Sequence, residues 1–437
     1  MLETISERVA YRSRSARRRE EAPKSLLEST CAVVLAGGRG LRLGPLTERR
    51  SKPAMPFAGK LKIIDFTLSN CINSGIRRVS VLTQYKAQSL IRHIAHGWSF
   101  LDANLGEFVD VVPAQQQTGE GWYCGTANAV YQNLELLREA DPKYVLVLAG
   151  DHVYKMDYGR IIAEHARRAA DVTVACIEVP LALATSFGVV RVDADGCISS
   201  FDEKPAAPVP LPDRPGVVRA SMGLYVFNTE FLCRELSRDA DDPDSCHDFA
   251  RNIIPAVLSR ARVFAHDFAD SCVNMIESHP YWRDVGTLDA YWEANMDLTR
   301  PLPELNLYDD AWPIRSIQRQ LPPAKFVFGD DTGGRVIDSL VSSGCIVSRA
   351  TVRRSLLFSK VRVGDGSEVE DSLLLPDVVL GRDVVVRRAI IDKHCVLPDG
   401  TRIGVHPGED KARFMVTDKG VTLVTPDMLG QGGRVSA

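Results

Sequence analysis

Directly after the apolar run Cys31-Ala-Val-Val-Leu-Ala36 the chain reads Gly37-Gly38-Arg39-Gly40-Leu41-Arg42, and Lys52-Pro53-Ala54 follows shortly. Glycines after a strand let backbone amides close around a polyphosphate without Cβ interference. Arg39, Arg42 and Lys52 add cations able to neutralise a triphosphate or a departing pyrophosphate. The pattern is neither G-x-x-x-x-G-K-[ST] nor G-x-G-x-x-G, so neither P-loop nor dinucleotide chemistry is expected. Two carboxylates stand out further along. Asp151, in Leu148-Ala-Gly-Asp-His152, reads either as a metal-facing carboxylate beyond a strand or as a helix N-cap. Asp284, in Tyr281-Trp-Arg-Asp-Val-Gly-Thr287, reads either as a second such carboxylate or as a surface partner of Arg283. Both together over the glycine loop would suit Mg²⁺, a hard cation that prefers oxygen ligands. Phe201-Asp-Glu-Lys-Pro205 ends a strand at a proline stop, a sequence also common on surfaces. His93 and His96 are expected on a partly exposed amphipathic helix face, not as metal ligands. No G-x-S-x-G elbow occurs.

Positioning these groups requires strands whose carboxyl ends share one edge. Apolar runs at 31–36, 79–82, 144–149 and 172–177 alternate with helical stretches at 66–74, 127–138 and 158–169. That alternation predicts an α/β domain with a mainly parallel, Rossmann-like sheet covered on both faces, with ligands beyond the strands' carboxyl ends. After about residue 300 the texture changes. Pro301, Pro303, Pro313, Pro322 and Pro323 mark an extended linker. From Leu340 an apolar position then recurs at Ile346, Val352, Leu357, Val363, Val369, Leu375, Leu380, Val386, Ile391, Leu397 and Ile403. Steps of five or six residues with glycine or aspartate nearby predict a parallel β-helix. The expected organisation is an arm (1–28), a catalytic domain (29–300), a linker (301–335) and a solenoid with a C-terminal extension (336–437).

Composition narrows the class. The 437 residues hold 53 Lys and Arg against 56 Asp and Glu, a formal charge of −3 that argues against a nucleic-acid binder. No run approaches the ~20 apolar residues of a membrane span, and residues 1–30 lack the apolar centre of a signal peptide. Ten single cysteines without a C-x-x-C pair match reduced thiols, so a cytoplasmic protein is expected. Arg12, Arg14, Arg17, Arg18 and Arg19 give the arm a basic cluster, read as solvated or packed against a partner.

Longer segments carry a resemblance. LAGGRGLRL (35–43), SKPAMPFAGKLKIIDFTLSNCINSGI (51–76), HGWSF (96–100), GWYCGTANAV (121–130), LAGDHVYKMDY (148–158), FDEKPA (201–206), SCHDFARNIIP (245–255) and YWRDVGTLDAYWEANMDL (281–298) resemble the bacterial ADP-glucose pyrophosphorylase (glucose-1-phosphate adenylyltransferase) family. The resemblance implies the reaction of ATP with α-D-glucose 1-phosphate to ADP-glucose and pyrophosphate, the committed step toward glycogen. It implies a Rossmann-like nucleotidyltransferase domain followed by a left-handed parallel β-helix, assembled as a homotetramer. Carried over residue by residue, Gly37, Gly38, Arg39 and Gly40 hold the ATP phosphates, with Arg42 and Lys52 beside the leaving pyrophosphate. Gln84 and Gln115 face adenine, and Gly125 and Thr126 complete the nucleotide wall. Tyr123, Gly188, Glu203, Lys204, Ser221 and Asp248 match glucose 1-phosphate contacts, and Asp151 and Asp284 match the Mg²⁺ ligands.

The resemblance also implies allosteric control by a sugar-phosphate or pyruvate-type activator and by an AMP-type inhibitor. Arg49, Arg50 and Lys62 fall in the matching region, and Arg382, Arg387 and Arg388 in the solenoid could complete an anion site between domains or be ordinary exposed corners. Three rivals remain: a sugar nucleotidyltransferase using another base or sugar, a non-catalytic regulatory subunit, and an acyltransferase built on the hexads. The last would need a histidine base, and only His394 lies within them.

Overall fold

The computed structural model describes residues 22–115, 122–273, 275–276, 279–317, 319–328 and 334–432. The cluster Arg12–Arg19 therefore lies outside the described residues. The last turn of the expected arm is a helix, Lys24–Glu28, and Leu27 packs over Gly75 and Gly159 of the catalytic domain.

Strand β1 (Thr30–Leu35) is a six-residue apolar run stopped by glycine, and it is the parallel centre of the sheet. It lies between β2 (Arg78–Thr83) and β4 (Tyr144–Ala149), with Val34 opposite Val81 on one side and Leu148 on the other; β3 (Phe108–Pro113) continues the parallel set beyond β2. Successive side chains of β1 feed separate cores: Ala32 and Val34 enter one layer and Val33 the other, which is why the run has no polar alternation. Among the described residues nine strands form this sheet. A short strand, β5 (His152–Tyr154), stands outside it. β6 (Val172–Pro180), β7 (Gly188–Val192), β8 (Ile198–Glu203), β9 (Val217–Asn228) and β10 (Val263–Asp267) complete it as a largely antiparallel flank. The register of β9 against β6 shifts between Ser221 and Tyr225, where Gly223 adopts φ +66°. A last strand, β11 (Trp282–Asp284), pairs antiparallel with β5 in a separate ribbon.

Helix α1 (Ile64–Asn73) carries polar side chains that are nevertheless buried. Its partners come from the proline-rich segment after 300, which is a fixed strap. Asn70 Oδ1 accepts from Trp312 Nε1 at 3.0 Å, Asn73 donates to the Pro313 carbonyl at 2.9 Å, and Asp65 accepts from Ser316 Oγ at 2.7 Å. Asp65 also accepts from His93 Nε2 at 2.6 Å and Trp98 Nε1 at 3.2 Å. His93, expected on a partly exposed face, is thus a buried partner of this carboxylate, while His96 is exposed. The helix expected at 127–138 is two helices, Thr126–Tyr131 and Leu134–Ala140.

The C-terminal part is a parallel β-helix of three sheets, consistent with the left-handed form. Val352, Val369, Val386 and Ile403 stack 17 residues apart, the sum of two six-residue steps and one of five. Corners fall at Arg349, Arg354, Lys360, Gly366, Asp371, Asp377, Asp383, Arg388, His394 and Gly400, all with positive φ. Lys325–Val327 already pairs with Ile346–Ser348, so a rung lies inside the span expected as linker. The predicted interior column slips by one at three places: Val341, Val347 and Leu374 occupy it, not Leu340, Ile346 and Leu375. One face is apolar on both sides. Leu356, Leu373, Leu375, Ile390 and Leu423 point outward into a cluster with Phe57, Leu61 and Tyr291 of the catalytic domain. That docking face supplied the misleading leucines. No helix among the described residues is long and apolar enough to cross a membrane.

Candidate active site

The carboxyl ends of the parallel strands converge as a doubly wound sheet requires. Gly37–Gly40 follow β1, Gln84 follows β2, Gln115 follows β3 and Asp151 follows β4. Gly40 has φ +66°, and a Cβ there would sit 3.1 Å from the Lys52 Cβ, so the glycine lets the loop fold back onto Lys52. At Gly38 a Cβ would meet nothing within 4 Å: the loop's outer face is open.

Asp151 precedes the strand β5, not a helix, so the N-cap reading fails. The ribbon of β5 and β11 sets Asp284 opposite His152, one residue from Asp151. Between the two aspartates lies Lys52, its ammonium 2.9 Å from Asp151 Oδ2 and 2.7 Å from Asp284 Oδ1. Arg42 reaches Asp284 Oδ2 at 3.2 Å while most of its side chain faces solvent. A Cβ on Gly286 would lie 2.6 Å from Arg42 Nη2 and 2.9 Å from Asp284 Oδ1, so the glycine leaves room for this pair. Burial alone would raise the Asp151 and Asp284 carboxyl pKa values, but the Lys52 ammonium and His152 outweigh it and hold both below the usual carboxylate range. Burial would likewise lower the Lys52 pKa, and the two carboxylates raise it instead. Both aspartates are therefore ionised and Lys52 is charged. Among the described residues no cluster of three or more metal-binding side chains occurs. Two convergent carboxylates still fit Mg²⁺, which commonly takes one or two carboxylates plus substrate phosphates.

A second wall faces this one. Gln84 donates from Nε2 to the Tyr123 carbonyl at 3.3 Å, while its Oε1 is buried with no partner among the described residues. Arg39 lies over the Tyr85 ring. Thr126 Oγ1 donates to Asp248 Oδ2 at 3.0 Å, and a Cβ on Gly125 would fall on the carbonyl oxygens of Cys246 and His247. Tyr123 accepts from Asn133 at 2.8 Å. Glu203 is opposite Gly188, where a Cβ would lie 2.9 Å from its Oε2. Ser221 is beside the β9 bulge, and Lys204 Nζ lies 3.1 Å from Glu203 Oε1.

One residue was missed by the sequence reading. Trp282 is buried with its ring 4.9 Å from His152 and 5.5 Å from Phe187, and its Nε1–H has no partner among the described residues. It links His152, beside Asp151, to Phe187, whose carbonyl accepts from the Lys204 amide. Its place two residues before Asp284 on one strand was the available signal, because i and i+2 share a face.

The six residues singled out for regulation separate. Arg50 is buried and pairs with both oxygens of Asp392 at 2.6 Å, leaving Nε and Nη1 without partners among the described residues. Arg49 pairs with Asp427 at 2.6 Å. Burial pushes the Lys62 amine down to about 8; Asp65 opposes this, while Lys393, Arg50 and Arg319 add to it. These cations meet at the domain junction, and Lys393 and Arg319 were not legible in advance. Arg388 stacks over Trp292 at 4.5 Å. Arg382 and Arg387 are exposed; Arg387 pairs with Glu368 on its own solenoid face.

A family model described as nucleotidyl transferase matches residues 31–301, and one described as GlmU-like C-terminal hexapeptide matches 322–424. A protein of Nitrosospira multiformis is 58% identical over 407 residues, covering 93% of this chain and 96% of its own. One of Nitrosomonas europaea is 58% identical over 411 residues (93% and 95%), and one of Dechloromonas aromatica 59% over 409 (93% of each). All three are named glucose-1-phosphate adenylyltransferase.

Replacing Lys52 by methionine would leave two carboxylates without their shared cation. In the wild type both folded pKa values are depressed, so their contribution to stability is present above about pH 4 and lost as the pH falls. In Lys52→Met, burial and mutual repulsion raise those values, so stability should decline as pH rises from about 5 to 8. Thermal unfolding across that range reads the sign. A variant midpoint that tracks the wild type would show that the carboxylates do not depend on Lys52.

Proposed function

The chain belongs to the glucose-1-phosphate adenylyltransferases, and from that membership we infer that it joins ATP to α-D-glucose 1-phosphate, releasing ADP-glucose and pyrophosphate for glycogen synthesis. The observation that carries the mechanism is Lys52 held between Asp151 and Asp284 beneath the glycine loop.

The phosphate of glucose 1-phosphate is already anionic near neutral pH, so no general base is needed. Its oxygen attacks the α-phosphorus of ATP in line, and pyrophosphate leaves opposite. The barrier lies in bringing two anions together and stabilising charge on the phosphorus oxygens and leaving group. Gly37, Gly38, Arg39 and Gly40 receive the ATP phosphates, and Arg42 and Lys52 face the departing pyrophosphate. The unpartnered Gln84 Oε1 supports that residue as an acceptor for the adenine amino group, with Gln115 beside it and Gly125 and Thr126 behind. Tyr123, Gly188, Glu203, Ser221 and Asp248 surround the sugar, and Lys204 holds its phosphate. Asp151 and Asp284 would hold Mg²⁺, which would supply charge neutralisation for the phosphates. The presence of Arg42, Lys52, Asp151, Lys204 and Asp284 in the chain weighs against a non-catalytic subunit.

Control by anionic metabolites is part of the same reading, with activators of the sugar-phosphate or pyruvate type and inhibitors of the AMP type. Its support is the cation cluster of Arg50, Lys62 and Lys393 with the orphaned donors of Arg50. A cytoplasmic homotetramer is carried with it on the resemblance alone.

Pyrophosphate release from ATP and glucose 1-phosphate tests the reaction. Lys204→Ala should raise KM for glucose 1-phosphate by roughly 10- to 150-fold, the loss of one charge-assisted contact. Asp151→Asn should instead depress kcat with little change in KM; turnover near the wild type would remove Asp151 from the chemistry. For regulation, fructose 6-phosphate, fructose 1,6-bisphosphate, pyruvate and AMP are titrated into that assay. Lys393→Ala should shift the half-saturating effector concentration by about tenfold or more, whereas Arg382→Ala and Arg387→Ala should not. Flat responses to all four would end the regulatory reading.

A further inference from the structure

We propose that Asn133 is a positioning residue: it makes the Tyr123 hydroxyl a fixed hydrogen-bond donor toward an oxygen of the sugar phosphate, which rests on the reading of Tyr123 given above. Asn133 stands where the helix expected at 127–138 breaks in two, with φ −118° and ψ 23°. In an unbroken helix its backbone amide would donate to the Ala129 carbonyl. Here that amide donates to the Val130 carbonyl at 3.0 Å, and the side chain takes its place: Asn133 Nδ2 donates to the Ala129 carbonyl at 2.8 Å.

The same nitrogen lies 2.8 Å from the Tyr123 hydroxyl. A carbonyl oxygen can only accept, so the Ala129 contact settles which end of the Asn133 carboxamide faces it. The two hydrogens on Nδ2 then have two acceptors, the Ala129 carbonyl and the Tyr123 oxygen. Within this pair the tyrosine oxygen accepts, and its own hydrogen is turned away from Asn133. Among the described residues no group accepts that hydrogen. Burial raises the Tyr123 pKa against the opposing effect of Asn133, so the phenol keeps its proton near neutral pH.

Helix capping does not account for Asn133. It is the N-cap residue of Leu134–Ala140, yet its side chain makes no capping bond there. The backbone of the tyrosine segment is held by other groups. Asn128 Oδ1 accepts from Cys124 N at 3.3 Å and from Gln132 Nε2 at 2.7 Å, and the Tyr123 carbonyl accepts from Gln84 Nε2 at 3.3 Å. The hydroxyl is therefore the part of Tyr123 that Asn133 controls. A fixed donor suits a ligand that offers an oxygen lone pair, as sugar hydroxyls and phosphate oxygens do.

The test is a double-substitution cycle in the full-length enzyme, with KM for each substrate measured while the other is saturating. Asn133→Asp keeps the size but can only accept, so the phenol hydrogen turns to it and the donor is lost. Asn133→Asp and Tyr123→Phe should each raise KM for glucose 1-phosphate by about 2- to 10-fold, the loss of one neutral hydrogen bond, with kcat and KM for ATP unchanged. Asn133→Ala should do less, because the freed hydroxyl can still rotate to donate. In the Tyr123→Phe background neither Asn133 substitution should add to the effect, and the alanine variant alone completes the cycle if the aspartate variant does not fold. If Tyr123→Phe raises KM and the Asn133 variants do not, this proposal falls while the reading of Tyr123 stands. If none raises it, the reading of Tyr123 falls as well. A larger loss from Asn133→Ala than from Asn133→Asp, an Asn133 effect that persists in the Tyr123→Phe background, or equal changes in the constants for both substrates would assign Asn133 a packing or charge role and overturn the proposal.

Discussion

An ammonium between two carboxylates, taken from three separate stretches of chain, is the contact on which the site depends. Lys52 comes from the loop after β1, Asp151 from the end of β4 and Asp284 from a ribbon formed much later in the chain. Two ionised carboxylates this close would repel each other strongly in a partly buried setting. The lysine makes their proximity tolerable before substrates arrive. It also keeps them ionised, as a divalent cation requires. The same arrangement anchors the loop that presents Arg42 and the open glycine turn to solvent.

The loop that supplies Lys52 is held from both sides. Within the catalytic domain, Thr47 Oγ1 donates to the Gly40 carbonyl at 3.1 Å and closes the loop on itself. From the solenoid, the Met415 thioether lies over Gly44, Asp427 pairs with Arg49 and Asp392 pairs with Arg50. Between residues 40 and 52, then, the cations Arg42 and Lys52 of the aspartate cluster alternate with groups gripped by the second domain. The apolar outer face of the solenoid, with Leu356, Leu373 and Ile390 against Phe57 and Tyr291, makes that grip possible by fixing the two domains together. A buried ion pair such as Arg50–Asp392 contributes little net stability against its desolvation cost, yet breaking it is costly. Its consequence here is positional, two residues from Lys52.

Polar burial in α1 follows the same logic. Asp65 and Asn70 could not stay in the interior without partners, and the strap after residue 300 provides them through Ser316 and Trp312, while the half-buried Asn73 bonds the Pro313 carbonyl. The strap then passes Lys62 and Arg319 on its way to the first rung. The segment that reads as a proline-rich linker is thereby part of the catalytic domain's packing.

Much was legible from local pattern alone. Glycine-stopped apolar runs marked β1 and β4, because a strand buried on both faces has no polar alternation. The step of five or six residues revealed the solenoid, since its corners need a positive φ at fixed spacing. Residue type and position after a strand marked Gly37–Gly40 and Asp151. Tertiary structure decided the rest. It settled that Asp151 meets Asp284, because pairing between β5 and β11 is a long-range register that neither segment encodes alone. It moved the interior column from Leu340 and Leu375 to Val341 and Leu374, since leucines on the docking face are as apolar as those inside. It buried His93 against Asp65, and it sent Arg382 and Arg387 outward while drawing Lys393 and Arg319 to the junction. Composition and spacing report what a residue can do; which charges stand within a few ångströms of it depends on segments that approach only when the whole chain has folded.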